Sequence, residues 1–190
     1  MIIASQKRKE NIAEYILYMW QIEDIIRANN LDIDLIKKNV ISRFDLNEEQ
    51  KREMTEWYES LIDMMRREGV EKSGHLQINR NMLSALVALH QALLADPKFG
   101  DYTAEFYRAL PYIVELRAKG GDTPAGEIET CFNALYGMLM LRLGKKEVSP
   151  ETERAVAEIT RFIALLSRNF HLDEQDRLFN NDKDSDQPKK

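Results

Sequence analysis

A single cysteine, Cys131, is all the thiol chemistry the chain carries, so no intramolecular disulfide can form. That suits a reducing compartment. Glycine and proline are scarce, eight and five in 190 residues, and fall mainly where helices would begin or end. So few turn residues argue against a sheet-rich fold. No apolar run reaches the ~20 residues that cross a bilayer. Residues 1–5 lead straight into Gln6-Lys-Arg-Lys-Glu10, without the apolar core of a secretory signal. These absences lead us to expect a soluble, cytoplasmic protein with no membrane partner.

Positive charge is in deficit as well. Lys and Arg number 27 against 32 Asp and Glu, a net charge of −5. Nothing here pulls the whole chain toward nucleic acid or anionic lipid. The short basic clusters Lys7-Arg8-Lys9 and Lys145-Lys146 read as solvated helix ends. No exposed basic recognition helix supports DNA binding. Linear site motifs are missing too: there is no His-Glu-x-x-His, Cys-x-x-Cys, Gly-x-Ser-x-Gly or Gly-x-Gly-x-x-Gly. The paired Glu-x-x-His of a di-iron bundle is lacking, and His171-Leu-Asp-Glu174 has the reverse order. Loop 69–74, GVEKSG, sets a Lys-Ser pair near glycines but has neither P-loop spacing nor a preceding strand. No catalytic residue, metal ligand or cofactor is assigned from motifs.

What the sequence does hold is helical periodicity. At 190 residues, 44% hydrophobic and 31% charged, it fits one globular domain. We expect an all-α, single-domain helical bundle of six or seven helices over residues 1–172. Residues 173–190 are expected to be a polar, disordered tail, with no apolar residue from Asn180 onward. The first helix is expected over 5–29, with Ile12, Ile16, Met19, Ile22 and Ile26 inward, and a shorter one over 32–43. Asn47-Glu-Glu-Gln50 is a capping-box pattern opening the third, which Gly69 closes. The fourth spans 73–95, with Ile78, Met82, Leu86, Leu89 and Leu93 on its apolar face. The fifth runs from an N-cap at Thr103 to Lys119, kinked at Pro111, with Phe106, Tyr107, Leu110, Ile113, Val114 and Leu116 inward.

Segment 130–143, TCFNALYGMLMLRL, is the most apolar and is placed at the centre. Ile128, Phe132, Leu135, Leu139 and Leu143 make one stripe, while Met138 and Leu141 fall elsewhere. A helix apolar on more than one side is either central or covered by a second subunit. Thr123-Pro124 reads as its N-cap and first residue, and Gly137 as a close approach of another backbone. Ser149-Pro150-Glu151 opens the last helix, with Ile159, Ile163, Leu166 and Phe170 at three- and four-residue intervals. Cys131 reads as a small buried hydrophobe.

Four polar residues on apolar faces are the candidate site. Glu23 projects between Met19 and Ile16, one turn from Arg27. The plainer expectation is an i,i+4 ion pair at the core margin; the sharper one is a carboxylate buried in the core with a raised pKa. His75, Asn79 and His90 project onto the apolar face of the fourth helix. His75 and His90 stand 15 residues apart, about 22 Å along a helix, and cannot ligate one ion. Each histidine is expected to be hydrogen-bonded singly, and His171 to favour the negative end of the last helix.

Residues 11–24 (NIAEYILYMWQIED), Ser73-Gly-His-Leu76, Leu89-His90 and the closing helix together resemble an uncharacterised all-helical family of about this length. That family is known mostly from Bacteroidetes. The resemblance supplies a fold and no activity, cofactor or catalytic residue. Surplus apolar surface then favours a non-enzymatic bundle acting through self-association, as a homo-oligomer or with another protein. The alternative is a small-molecule or metal-binding bundle, even an enzyme, with Glu23, His75, Asn79 and His90 lining its site beside Tyr15 or Tyr18.

Overall fold

The computed structural model describes residues 2–119 and 125–179. Among these the fold is all-α: eight α-helices, two 3-10 turns and no strand. The chain separates into two compact units, the first formed by residues up to 10 and from 14 to 82, the second by 11–13 and from 83 onward.

In the first unit the expected opening helix is two: α1 (Ile2–Glu10) and α2 (Ile12–Ala28). The break is made by Asn11, whose side-chain oxygen accepts from the Ala13 backbone N–H at 3.0 Å. A side chain that bonds its own backbone offers the chain an alternative to helix. α3 (Ile33–Asn39) is capped by Asp32 and followed by a 3-10 turn, Ile41–Arg43. α4 (Glu48–Glu68) has the expected ends. Asn47 and Gln50 form the reciprocal capping box, and Gly69 takes a left-handed φ of 68° to close the helix. Met19, Ile22, Ile26, Ile36, Tyr58 and Leu61 lead the core of this unit. Each such side chain contributes ~1.5–3 kcal/mol on full burial.

α5 (Gln77–Ala95) begins four residues later than expected, because Ser73-Gly74-His75-Leu76 is loop and Gly74 has φ +87°. Its buried face also differs at the start. Asn79 is buried where Ile78 is 40% exposed, while Leu86, Leu89 and Leu93 lie inward as expected.

In the second unit a 3-10 turn, Pro97–Phe99, leads into α6 (Gly100–Lys119), which therefore starts before Thr103. The helix continues through Pro111, which lies on the exposed side. α7 (Glu127–Leu143) begins after Gly126, and the Thr123-Pro124 expected to open it lies outside the described residues, with Gly120-Gly121. α8 (Pro150–Glu174) starts at Ser149, whose hydroxyl accepts from Thr152 N–H. α8 packs on both α6 and α7, and those two on each other. Phe106, Ile113, Phe132, Phe162, Ile163 and Leu166 lead the core. Past α8 the chain stays packed: Leu178 is buried and the Phe179 ring meets Phe99 edge-on. The tail expected to be disordered, 173–190, is thus ordered as far as Phe179, and its remainder, 180–190, lies outside the described residues.

Two packing expectations are corrected. On α6 the inward stripe is Tyr102, Phe106, Ala109 and Ile113, whereas Tyr107 and Val114 are 62% and 54% exposed. Tyr107 and Val114 each follow an inward residue by one position, ~100° round the helix. On α7, Ile128, Cys131, Phe132 and Met138 are buried, but Leu141 and Leu143 are exposed. A Cβ at Gly137 would meet nothing within 4 Å, so this glycine serves no close backbone approach among the described residues.

Candidate functional site

The first candidate cluster is built by α2 and the loop that precedes α5. Glu23 is fully buried. Its Oε2 lies 2.6 Å from His75 Nδ1, while Oε1 accepts from Leu76 N–H at 2.9 Å and from the Asn79 amide at 2.6 Å. Three donors from one short segment thus converge on one carboxylate. A buried carboxylate lacking such partners would lose several kcal/mol of hydration without return. The His75 ring is held by its contact with Glu23 and by stacking on Trp20 at 4.1 Å with planes 13° apart. The imidazole side chain stays 30% exposed. Asn79 Oδ1 is buried with no hydrogen-bond partner among the described residues.

This geometry decides between the two expectations for Glu23. Arg27 is not its partner. It pairs with Asp24 at 2.8 Å and donates to the carbonyls of Val70 and Gly74. α2 therefore grips one loop twice, through Glu23 and, a turn later, through Arg27. Arg27 holds the GVEKSG segment through Val70 and Gly74, and Glu23 holds the residues that follow it, from His75 to Asn79. Nearby, Tyr15 and Tyr18 are half-buried. Burial pushes both phenols up, and for Tyr15 the Arg8 charge opposes this while the Glu23 charge adds to it.

His90 belongs to the second unit and has its own partners. It is 3% exposed, with Nδ1 at 2.7 Å from the Tyr102 hydroxyl and its ring edge-on to Phe106 and Phe162. Nε2 is 3.6 Å from Glu127 Oε2, inside ion-pair range and too long for a hydrogen bond. Burial lowers the imidazole from its ordinary value, and the Glu127 charge partly opposes this. Burial also raises the Tyr102 phenol, with the neighbouring Cys131 adding to the shift. Neutral on both sides, the pair has Tyr102 donating to Nδ1, which turns Nε2–H toward Glu127. Cys131 has no exposed surface, and its thiol is pushed up to about 12 by burial, then by Glu127. A thiol held so far from thiolate is a packing group.

The family described as Domain of unknown function (DUF4924) matches residues 1–177. The chain belongs to this family. No curated protein and no solved structure matches it. For this DUF4924 chain, then, Glu23, His75 and Asn79 form one cluster and His90 another. A groove of about 830 Å³ between α1 and α4, lined by Gln6, Lys9, Glu53, Glu56 and Trp57, includes none of the four. Among the described residues no group of three or more His, Cys, Asp or Glu is arranged to hold a metal ion.

A third feature was missed at the sequence level. The outward side of α6 carries Ala104, Tyr107, Pro111, Val114 and Ala118, all exposed, at intervals of three, four, three and four. This is the rhythm of a helix–helix seam. It lies opposite the inward stripe of Tyr102, Phe106, Ala109 and Ile113. Assigning Tyr107 and Val114 to the core hid it.

Proposed function

We propose that this protein works by association, with a second copy of itself, through the outward face of α6. The observation that supports this is the seam just described: five apolar residues in a 3-4 rhythm, spanning roughly 21 Å of helix at 1.5 Å per residue. Single exposed apolar residues need no explanation, but a contiguous stripe at packing rhythm does. A stripe of one helix is self-complementary about a two-fold axis, the commonest symmetry of soluble oligomers. A contact of this length is small, so it should be a weak, exchanging dimer with Kd on the order of ten micromolar or above. The same reading takes Glu23 and His90 as interior fastenings.

Sedimentation velocity over roughly 5–300 µM tests this, with Kd in the range expected for a small interface. The wild-type chain should shift from monomer to dimer with concentration. Val114→Glu, at an exposed position, should leave helicity and melting temperature unchanged and weaken the dimer at least about tenfold. A wild-type chain that stays monomeric throughout, or a Val114→Glu dimer of unchanged strength, would refute the reading.

A second reading has one observation in its favour: His75 is held by a buried carboxylate and a stacked Trp20 while part of its ring reaches solvent. An imidazole oriented this way is prepared to take a ligand or a divalent ion. Stabilisation of the wild type by zinc or nickel, absent in His75→Ala, would carry that reading over the first.

A further inference from the structure

Resting on the association proposed above, we infer that two copies pair their α6 helices antiparallel, in one register chosen by Arg108 and Glu115. Both side chains are exposed and flank the seam on the same side, seven residues apart. In an antiparallel helix pair, apolar residues of the two seam positions interleave, and each flank meets the same flank of the other helix. Placing the two-fold axis between Tyr112 and Ile113 sets Tyr107 opposite the partner's Ala118 and Pro111 opposite the partner's Val114. Large side chains then meet small or compact ones. The same placement brings Arg108 against the partner's Glu115, and by symmetry Glu115 against the partner's Arg108.

The other registers fail on charge. Sliding the pair by one heptad one way sets Arg108 against its own copy; sliding it the other way sets Glu115 against its own copy. A parallel pair sets Arg108 near Thr103 and Glu115 near Leu110, with no charge to match. Like charges juxtaposed across an interface select against such arrangements. Within the monomer Glu115 pairs with Lys119 at the surface, and exposed Arg108 pairs with Glu105, whose side chain is only 24% exposed. The exposed Glu115–Lys119 pair is worth little and is exchanged at little cost, while Arg108 can bridge Glu105 and the partner's Glu115 with its several N–H donors. The α6 seam is thus an interface specific for a second copy of this chain.

The test uses full-length chains in sedimentation velocity at low salt, with melting temperature as the folding control. Arg108→Glu alone gives two Glu–Glu pairs per dimer, and Glu115→Arg alone gives two Arg–Arg pairs. Each variant should dimerise about tenfold more weakly than wild type. Mixed one to one, the two variants should form a heterodimer of near wild-type strength, since every flanking pair is then opposite in sign. The double variant Arg108→Glu/Glu115→Arg should recover homodimer within about threefold, and high salt should flatten all these differences. Singles that dimerise like wild type, or a mixture that fails to recover association, would overturn the register. If Val114→Glu still dissociates the dimer in that case, α6 self-association stands and only the pairing geometry falls. If Val114→Glu has no effect, both fall.

Discussion

Glu23 shows how one side chain can hold a loop and a helix start at once. Its two oxygens take three donors from His75, Leu76 and Asn79. Replacing it by alanine orphans the buried Leu76 N–H and Asn79 amide and frees the partly exposed His75 ring, and the expected loss is about 3 kcal/mol in denaturant unfolding. Glu23→Gln keeps one acceptor and should lose less than the alanine variant. Equal, negligible effects would show that the cluster is not fastening the loop. Local sequence could not reveal these partners. Arg27 stands one turn away and looked sufficient, whereas the true partners lie 52 to 56 residues further along. The apolar neighbours Met19 and Ile16 allow burial, but the nearby Arg27 favours an ion pair at the core margin, so neither the depth of Glu23 nor its partners follow from local sequence. His90 contributes one pH dependence. Its imidazole is lowered in the folded chain, so below about pH 6.5 the unfolded chain takes up the proton first. Its contribution to stability is fully present above that pH and is lost as pH falls toward the folded value. Urea titrations between pH 7.5 and 5.5 should show stability declining, with a shallower decline in His90→Asn.

Helix ends divide by the range of their causes. Where the signal is a cap within four residues, the sequence reads directly: Asn47 with Gln50, Gly69, and Ser149 before Pro150. Asn47→Ala should cost about 1 kcal/mol, read as a lowered melting temperature with the α4 helix otherwise intact. Where the cause is distant, the sequence misleads. The α1–α2 break uses Asn11, which also accepts from the Ser167 hydroxyl 156 residues later. The start of α5 is displaced because Glu23 takes the Leu76 N–H and Glu68 takes that of Gln77. α6 failed for another reason. It is apolar on two opposite sides, and periodicity alone assigns an apolar residue to a stripe without saying which stripe is inside.

At the scale of the molecule, the helical class needed only composition and periodicity, and the described residues are all-α as expected. The expected central helix did not. α7 buries its first half and leaves Leu141 and Leu143 in solvent, while the packing rhythm free for another chain belongs to α6. Of the two sequence-level accounts of surplus apolar surface, cover by a second subunit is the one we propose, moved one helix upstream. A dimer built on so short a seam would respond to concentration and ionic strength within ordinary laboratory ranges. The lone sulfur sets a last consequence. Fully buried, with the charges of Tyr102 and Glu127 felt at its thiol, Cys131 is unreachable while the second unit is closed. Any adduct it acquires must therefore date from a moment of opening, which makes this one atom a native stopwatch for how often that half of the chain breathes.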